Sequence, residues 1–576
     1  MENQFLIKNS IADLRNMSAS EIDSLKGTFP TYQGVKLLGY YTKGDIPNAV
    51  NYYLTNSSDN DNGGNVIVVG DIKLQYALPP SLDVRYFGAK GDGNTDDTDA
   101  IQRAINTKAT SILFPTPQTA YRVSTIYPLT GQTLKGDGQP SKQCIMGNGV
   151  DTTIIIGSEN FALDRIMRIT IQELRISNDG NDAIYVRNCP NVKILNSYIS
   201  SVGGIAIKLF YSWRINISNN WINSSGTNTW GVYGMNNING LICNGNTITG
   251  GSSGGAICIG NSQNVAVKHN IIETSLKGIY IGSGDFDPSG IGQFDPNDGG
   301  VNGLEIDNNY IENCLRPLAI GVRFFVGPGS VSNNFIATGF AKGVNGGTYT
   351  VDQFKEKAIL QLGRNRGIKF SNNSFSCRWS SVLDFNTEYI NQENAIPFMY
   401  DCSFGDNNIG GREADIPLYK FTGKYASSTY NHYKRLVGGR NYFGFFVRDK
   451  KGCLSSYDNR EYISPLIFAN TGLSIRAWID QHILELGGSI ISVDLIDVQG
   501  NVDGAKLYIG SSGDNGSALS NYDVGSIPKI YGAAQIPDIN GGSRIYTDLV
   551  NTIKVIPSTS ETSNGSFRVK ITYRAT

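Results

Sequence analysis

INISNNWI (Ile215–Ile222), LICNGNTI (Leu241–Ile248), VAVKHNII (Val265–Ile272) and LEIDNNYI (Leu304–Ile311) are one phrase written four times. Each runs apolar, any residue, apolar, then a polar pair that usually holds Asn, one further residue, and a closing Ile or Phe. VKILNSYI (Val192–Ile199), SVSNNFI (Ser330–Ile336), IKFSNNSF (Ile368–Phe375) and CSFGDNNI (Cys402–Ile409) extend the series to both sides. In the first seven of these phrases in chain order the residue two places before the closing position is Ser197, Asn220, Asn246, Asn270, Asn309, Asn334 and Asn373, at separations of 23, 26, 24, 39, 25 and 39.

A period near 24, with two rungs lengthened by about 15, is the repeat of a solenoid whose coils stack on one another. The alternation inside each phrase has period two, so the coils are strands and the fold class is all-β, a right-handed parallel β-helix. A second strand set sits between successive phrases: GIAIKLF (Gly204–Phe210), GAICIGN (Gly255–Asn261), GIYIGSG (Gly278–Gly284), PLAIGVR (Pro317–Arg323), KAILQLG (Lys357–Gly363) and SSVLDFN (Ser380–Asn386). Two strand families per coil are therefore expected, with stacked Asn side chains forming a hydrogen-bonded ladder at one corner.

Composition agrees. Charged residues are only 17% of the 576, Gly reaches 67, and 49 Lys+Arg against 50 Asp+Glu give a net charge of −1. No basic field is present to gather nucleic acid, and neither nucleic-acid binding nor membrane insertion is expected. The eight Cys (144, 189, 243, 258, 314, 377, 402 and 453) form no CxxC pair and read as reduced core thiols. MENQFLIKNSIADL at the N-terminus has no basic start followed by an apolar run, so no signal peptide is expected.

Around Pro79 and Pro80 the composition changes. Residues 1–80 form a separate neck or adaptor region in which SASEIDSLKG (Ser18–Gly27) is a short helix capped by Ser18 or Ser20. Then DVRYFGAKGDGNTDDTDAIQRAIN (Asp83–Asn106) passes from strand letters through a Gly-rich turn into a helix capped by Thr95 or Asp96. Its apolar positions Ala100, Ile101, Ala104 and Ile105 make one narrow face, the right size to close the open end of a β-helix. Two long insertions depart from the repeat, Ser283–Gly300 and Ala337–Lys357, and loops on a rigid solenoid are where function collects. The β-helix is expected over 81–415 and carries the active site. A C-terminal β-sandwich, for trimerisation or carbohydrate binding, is expected over 416–576.

The segment DVRYFGAKGDGNTDDTDAIQRAI resembles the N-terminal motif of the pectate-lyase-like (pectin-lyase-fold) superfamily. The layout of preface, capped β-helix and C-terminal β domain is similar to that of phage tailspike depolymerases, over roughly residues 80–576, and residues 5–55 resemble the segment that precedes their β-helix. The resemblance implies a homotrimer, attachment to a phage tail or baseplate through the N-terminal region, and a virion protein acting outside the host. It also implies cleavage of bacterial capsular or other surface polysaccharide, by hydrolysis or by β-elimination. It transfers no catalytic residue, because members of the family place theirs on different rungs.

Those residues must come from this chain. With three His only (269, 432 and 482), a Ser-His-Asp triad or His-rich metal centre is disfavoured; no metal or cofactor is expected, and carboxylates are the natural acid–base groups. Aligned repeats put Glu273 and Glu312 at one coil position, where neighbouring coils hold Asn223, Thr249, Ala337 and Ser376, and Lys277 coincides with Arg316 four residues on. Carboxylates on adjacent coils, about 4.8 Å apart, suit a retaining glycosidase; the plainer reading is a surface Glu ladder neutralised by Lys277 and Arg316. Asp285, Asp287, Asp295 and Asp298 in the first insertion are a second candidate cluster, against ordinary turn chemistry, and Asp384 with Glu388 a third, Asp384 pointing outward between Leu383 and Phe385. Trp213, Trp221, Trp230, Tyr233 and Tyr280 are candidate sugar platforms, about half of them exposed. Arg187, Lys208, Arg316 and Arg323 would pair with acidic sugars or with carboxylates of a neighbouring subunit. Under a lyase reading the base would be His269, Lys268 or Lys277; a non-catalytic receptor-binding adhesin would use the same aromatic groove.

Overall fold

The computed structural model describes residues 4–138, 144–160, 165–235, 238–283, 300–322, 324–337, 358–377, 381–386, 399–400 and 402–411, together with strand segments between 419 and 574. From Leu82 onward parallel strands stack coil upon coil in a right-handed β-helix. One coil is typical: β1 (Pro190–Leu195) turns at Asn196 and Ser197 into β2 (Tyr198–Ser201), then passes to β3 (Ile207–Phe210). The repeated phrase is therefore two strands meeting at a corner, and a coil has three strands where two were expected. The bend comes from backbone conformation: the residue before each ladder position (Asn196, Asn219, Gly245, His269, Asn308, Asn333, Asn372, Asp406) is left-handed, with φ from +49 to +66°. Asn, Asp and Gly adopt that conformation at low cost, so they crowd the corner.

The Asn ladder is present and buried. Asn270 donates from its backbone N–H and its Nδ2 to Asn309 Oδ1, both at 3.0 Å, and Asn309 donates in the same way to Asn334 Oδ1 at 3.0 and 2.9 Å. Each amide also donates to a main-chain carbonyl of the preceding coil, Asn270 to Cys243 and Asn309 to Val267, at 2.9 Å. The same pattern joins Asn220 to Asn246, Asn246 to Asn270, Asn334 to Asn373 and Asn373 to Asn407. Inside the coils, rows such as Ile199, Ile222, Ile248, Ile272, Ile311 and Ile336 are completely buried in one continuous core. Each such side chain stabilises the fold by about 1.5–3 kcal/mol relative to exposure.

Chain order from the N-terminus brings α1 (Ile11–Arg15), α2 (Ala19–Asp23) and α3 (Thr98–Asn106). The first two flank a five-stranded sheet of residues 6–75 with its own core around Leu14, Tyr52 and Leu74. Ser18 caps α2 through a capping box with Glu21. The face of α3 formed by Ala100, Ile101, Ala104 and Ile105 is buried against the first coils, as an end cap requires. Its N-cap is Asp97 rather than Thr95 or Asp96. The Asp97 carboxylate instead accepts from the backbone N–H of Lys90 and Gly91, tying the Gly-rich turn to the helix start, while Asp96 accepts from Thr98 N–H.

Parallel coil pairing continues past 415, to Ile409 against Phe443. Antiparallel strands begin at Arg460–Ile463 and end at Ser566–Arg574, in one six-stranded and one four-stranded sheet. Among the described residues no helix is long and apolar enough to cross a membrane.

Asn309→Ala strands Asn270 N–H and the Val267 carbonyl inside the corner, and is expected to destabilise the fold by about 2–3 kcal/mol in denaturant unfolding. The same change at exposed Asn302, which has ordinary strand backbone, is expected to have little effect. Cys144, Cys189, Cys243, Cys258, Cys314 and Cys402 are buried, and burial pushes the thiols of Cys144, Cys189, Cys243 and Cys314 up to about 12. Alkylation followed by peptide mass spectrometry is expected to leave all six unlabelled in the native protein and to label them after denaturation.

Candidate active site

In-register stacking turns each outward position of a coil into a row along the helix axis. Four strands carry the rows of interest: β4 (Thr247–Ile259), β5 (Ile271–Ile281), β6 (Tyr310–Ile320) and β7 (Phe335–Ala337). One row runs Tyr198, Trp221, Thr247, Ile271, Tyr310, Phe335. It is open to solvent: Trp221 is 55% exposed, Ile271 43%, Tyr310 37% and Phe335 41%. Two residues further along each strand lies a polar row, Ser200, Asn223, Thr249, Glu273, Glu312, Ala337. Glu273 thus stands directly beside Glu312 on adjacent half-buried coil positions, and Lys277 beside Arg316 on the same two strands. Coil spacing is about 4.8 Å.

In these coils two strand families are paired as one, so that β4, β5 and β6 each span 11 to 13 residues, with a register shift between Gly251 and Gly255 in β4. The residues that follow the two glutamates are left-handed, Thr274 with φ +50° and Asn313 with φ +53°, and Gly251 in the preceding coil has φ +62°. For β-branched Thr274 this conformation is strained by about 1–2 kcal/mol. An irregularity of this kind re-aims the neighbouring side chains, and such features gather at functional sites.

Tyr310 was not singled out from the sequence, yet it touches the pair. Its hydroxyl donates to Glu312 Oε2 at 2.5 Å, and its ring stacks on Phe335 with centroids 5.3 Å apart and planes 12° from parallel. Desolvation, that hydrogen bond and the negative charges of Glu312 and Glu273 hold the phenol well above its usual range, so it stays a donor. The signal was in the repeat: the residue between the ladder Asn and the closing Ile must point outward, and it is aromatic in Tyr198, Trp221, Tyr310 and Phe335.

The other candidates are placed differently. Trp213 is half-buried, whereas Trp230, Tyr233 and Tyr280 are buried in a satellite cluster with Met235, Cys258, Ala319, Val322 and Phe324. They point away from the coil core but pack on one another, so they form no open platform. Asp384 does lie in an outward row, beyond Tyr280, Ala319 and Gln361, but it is buried and two coils from Glu312. Lys277 is buried with its Nζ 5.6 Å from the Trp230 ring centroid; Arg316 is half-buried, and its Nε has no hydrogen-bond partner among the described residues. Arg187 pairs with Glu159 at 3.3 Å and Lys208 with Asp182 at 3.1 Å, both within the chain. Lys268 pairs with Glu305 at 2.6 Å, and exposed His269 holds a ladder corner through Nδ1 and Asn244 Oδ1 at 3.0 Å. Asp285, Asp287, Asp295, Asp298, Arg323 and Glu388 lie outside the described residues. Among those described, no group of three His, Cys, Asp or Glu is arranged to hold a metal ion.

Residues 81–305 match the family model described as rhamnogalacturonase A/epimerase, pectate lyase-like. That match takes in α3 and the coils through β5 and stops before Glu312. Solved structures similar to the chain include the tailspike protein of Acinetobacter baumannii phage AM24, at 13% identity and a TM-score of 0.44, covering 99% of this chain and 94% of that one. Another is tailspike gp49 of Acinetobacter baumannii bacteriophage Fri1, a capsular polysaccharide depolymerase, at 11% identity and a TM-score of 0.39, covering 99% and 98%. The tailspike of Acinetobacter phage vB_ApiP_P1 matches at 13% identity and a TM-score of 0.42, over 100% of both chains. No curated protein matches in sequence.

Thr274→Gly removes the left-handed strain beside Glu273. It is expected to stabilise the protein by about 1 kcal/mol in guanidinium unfolding. Asn313→Gly, at a position where Asn already tolerates the conformation, is expected to give a smaller change.

Proposed function

We propose that the chain is a phage tailspike depolymerase that binds bacterial capsular polysaccharide and cuts it within the chain by hydrolysis, with Glu273 and Glu312 as the working carboxylates. The observation that carries this reading is the in-register Glu273–Glu312 pair on an outward row of a pectate-lyase-like β-helix, beside an exposed aromatic row. Two carboxylates on adjacent coils suit a double displacement with retention of configuration, which needs carboxyl groups about 5–5.5 Å apart. The aromatic row offers apolar surface for sugar rings next to hydrogen-bonding groups. Assembly as a homotrimer, attachment to a phage tail through residues 1–80 and action at the host cell surface belong to the same proposal and rest on the sequence resemblance.

A lyase on the same site is the second reading, favoured by the Lys277–Arg316 row that flanks the carboxylates, since β-elimination needs a base and a cation facing a uronate. Lys268 and His269 are engaged elsewhere, with Glu305 and Asn244, and do not join that row.

Mass spectrometry of the oligosaccharides released from capsules of a panel of encapsulated strains separates the readings. Hydrolysis predicts whole repeat units plus one water; products lacking that water and carrying a new double bond establish a lyase, and binding without release an adhesin. Glu273→Gln and Glu312→Gln are each expected to lower release by at least about 100-fold with an unchanged melting temperature. Full activity in both variants rejects the site.

A further inference from the structure

Register makes the two glutamates equivalent in almost every respect. They occupy the same row, are both half-buried, are both followed by a left-handed residue, and have Lys277 and Arg316 at matching positions four residues on. Hydrolysis with retention nevertheless needs the two in unlike roles, one as nucleophile and one as general acid. Something must decide which one takes which role.

The coils differ two residues before each glutamate. On the Glu312 strand that position is Tyr310, whose hydroxyl donates to Glu312 Oε2 at 2.5 Å; on the Glu273 strand it is Ile271, which has nothing to donate. The ring of Tyr310 is held by its stack on Phe335 in the next coil, so the donor is aimed rather than free to swing. A hydrogen bond to a carboxylate favours its ionised form. The neighbouring coils add no further charge to the row, since the flanking positions are Thr249 on β4 and Ala337 on β7. Of the charged groups on β5 and β6, Lys277 and Arg316 occupy matching positions four residues on, Lys277 buried with its Nζ over the Trp230 ring and Arg316 half-buried.

Resting on the proposed hydrolysis, we infer that Tyr310 is a positioning residue that divides the pair into unlike roles, holding Glu312 as the ionised nucleophile and leaving the proton on Glu273, the general acid. A Glu312 carboxylate oxygen attacks the anomeric carbon; a C–O ester bond forms as the glycosidic C–O bond breaks, and the leaving oxygen takes the proton from Glu273. A solvent water then gives a proton to the Glu273 carboxylate while its oxygen attacks the same carbon, and the electron pair of the ester bond returns to Glu312. The raised ionisation range of the Tyr310 phenol is consistent with a donor that survives across the working pH.

The test is the pH dependence of kcat/KM for reducing-end release, with capsular polysaccharide purified from a panel strain that the wild-type chain shortens. Tyr310→Phe keeps the ring stack and removes the donor. It is expected to move the acid limb, which reports ionisation of Glu312, up by about one pH unit and to lower kcat more than it changes KM, at an unchanged melting temperature. Ile271→Tyr, at an exposed position, gives Glu273 a matching donor and is expected to move the alkaline limb, which reports protonation of Glu273, to lower pH. If Glu273→Gln and Glu312→Gln are inactive but both limbs stay in place in the two tyrosine-row variants, the division of roles is overturned while the site stands. If the two Gln variants remain active, or no strain is depolymerised, the hydrolytic site itself fails and this inference with it.

Discussion

The buried amide ladder at the corner of the coils is the constraint on which the rest depends. Each ladder Asn spends both its carbonyl and its amide group on the coils before and after it, and its backbone N–H as well. A slip of one residue in any coil would put an outward side chain into the corner and leave three or more buried groups without partners. The ladder therefore locks the axial register of coils that vary in length, including the two 39-residue rungs that carry long insertions.

Locked register is also what makes a row of side chains meaningful. Outward positions on this face are related by translation along the axis, so a residue type recurring at one coil position becomes a continuous stripe. Glu273 and Glu312 meet for that reason alone, though 39 residues separate them. The exposed row of Trp221, Ile271, Tyr310 and Phe335 arises in the same way. The proposed site lies at a local modification of the repeat, where β4, β5 and β6 run on through two strand families and the residues after the two glutamates, Thr274 and Asn313, are left-handed. The fold tolerates that strain because the ladder and the isoleucine core on either side over-determine the backbone.

Much of this was legible in the chain. The spacing of the Asn phrase named the solenoid, the ladder residues and the coincidence of Glu273 with Glu312, and the apolar face of α3 named the cap, because each depends only on periodicity. What the phrase concealed was its own bend: a left-handed residue looks like any other polar letter, so one phrase was read as one strand where the backbone makes two. Similarly, Trp230, Tyr233 and Tyr280 have outward parity, which says that they leave the coil core but not whether another layer covers them.

Sequence by itself determined the coil, its period, its inner and outer faces and the rows into which its side chains fall, since all follow from alternation along a strand and repetition between strands. Only the tertiary structure decided which outward residues stay open and which side chains reach one another across a row. Exposure depends on what packs over a face, and the hydrogen bond of Tyr310 to Glu312 depends on side-chain geometry and ring stacking against the next coil, neither of which a period can carry.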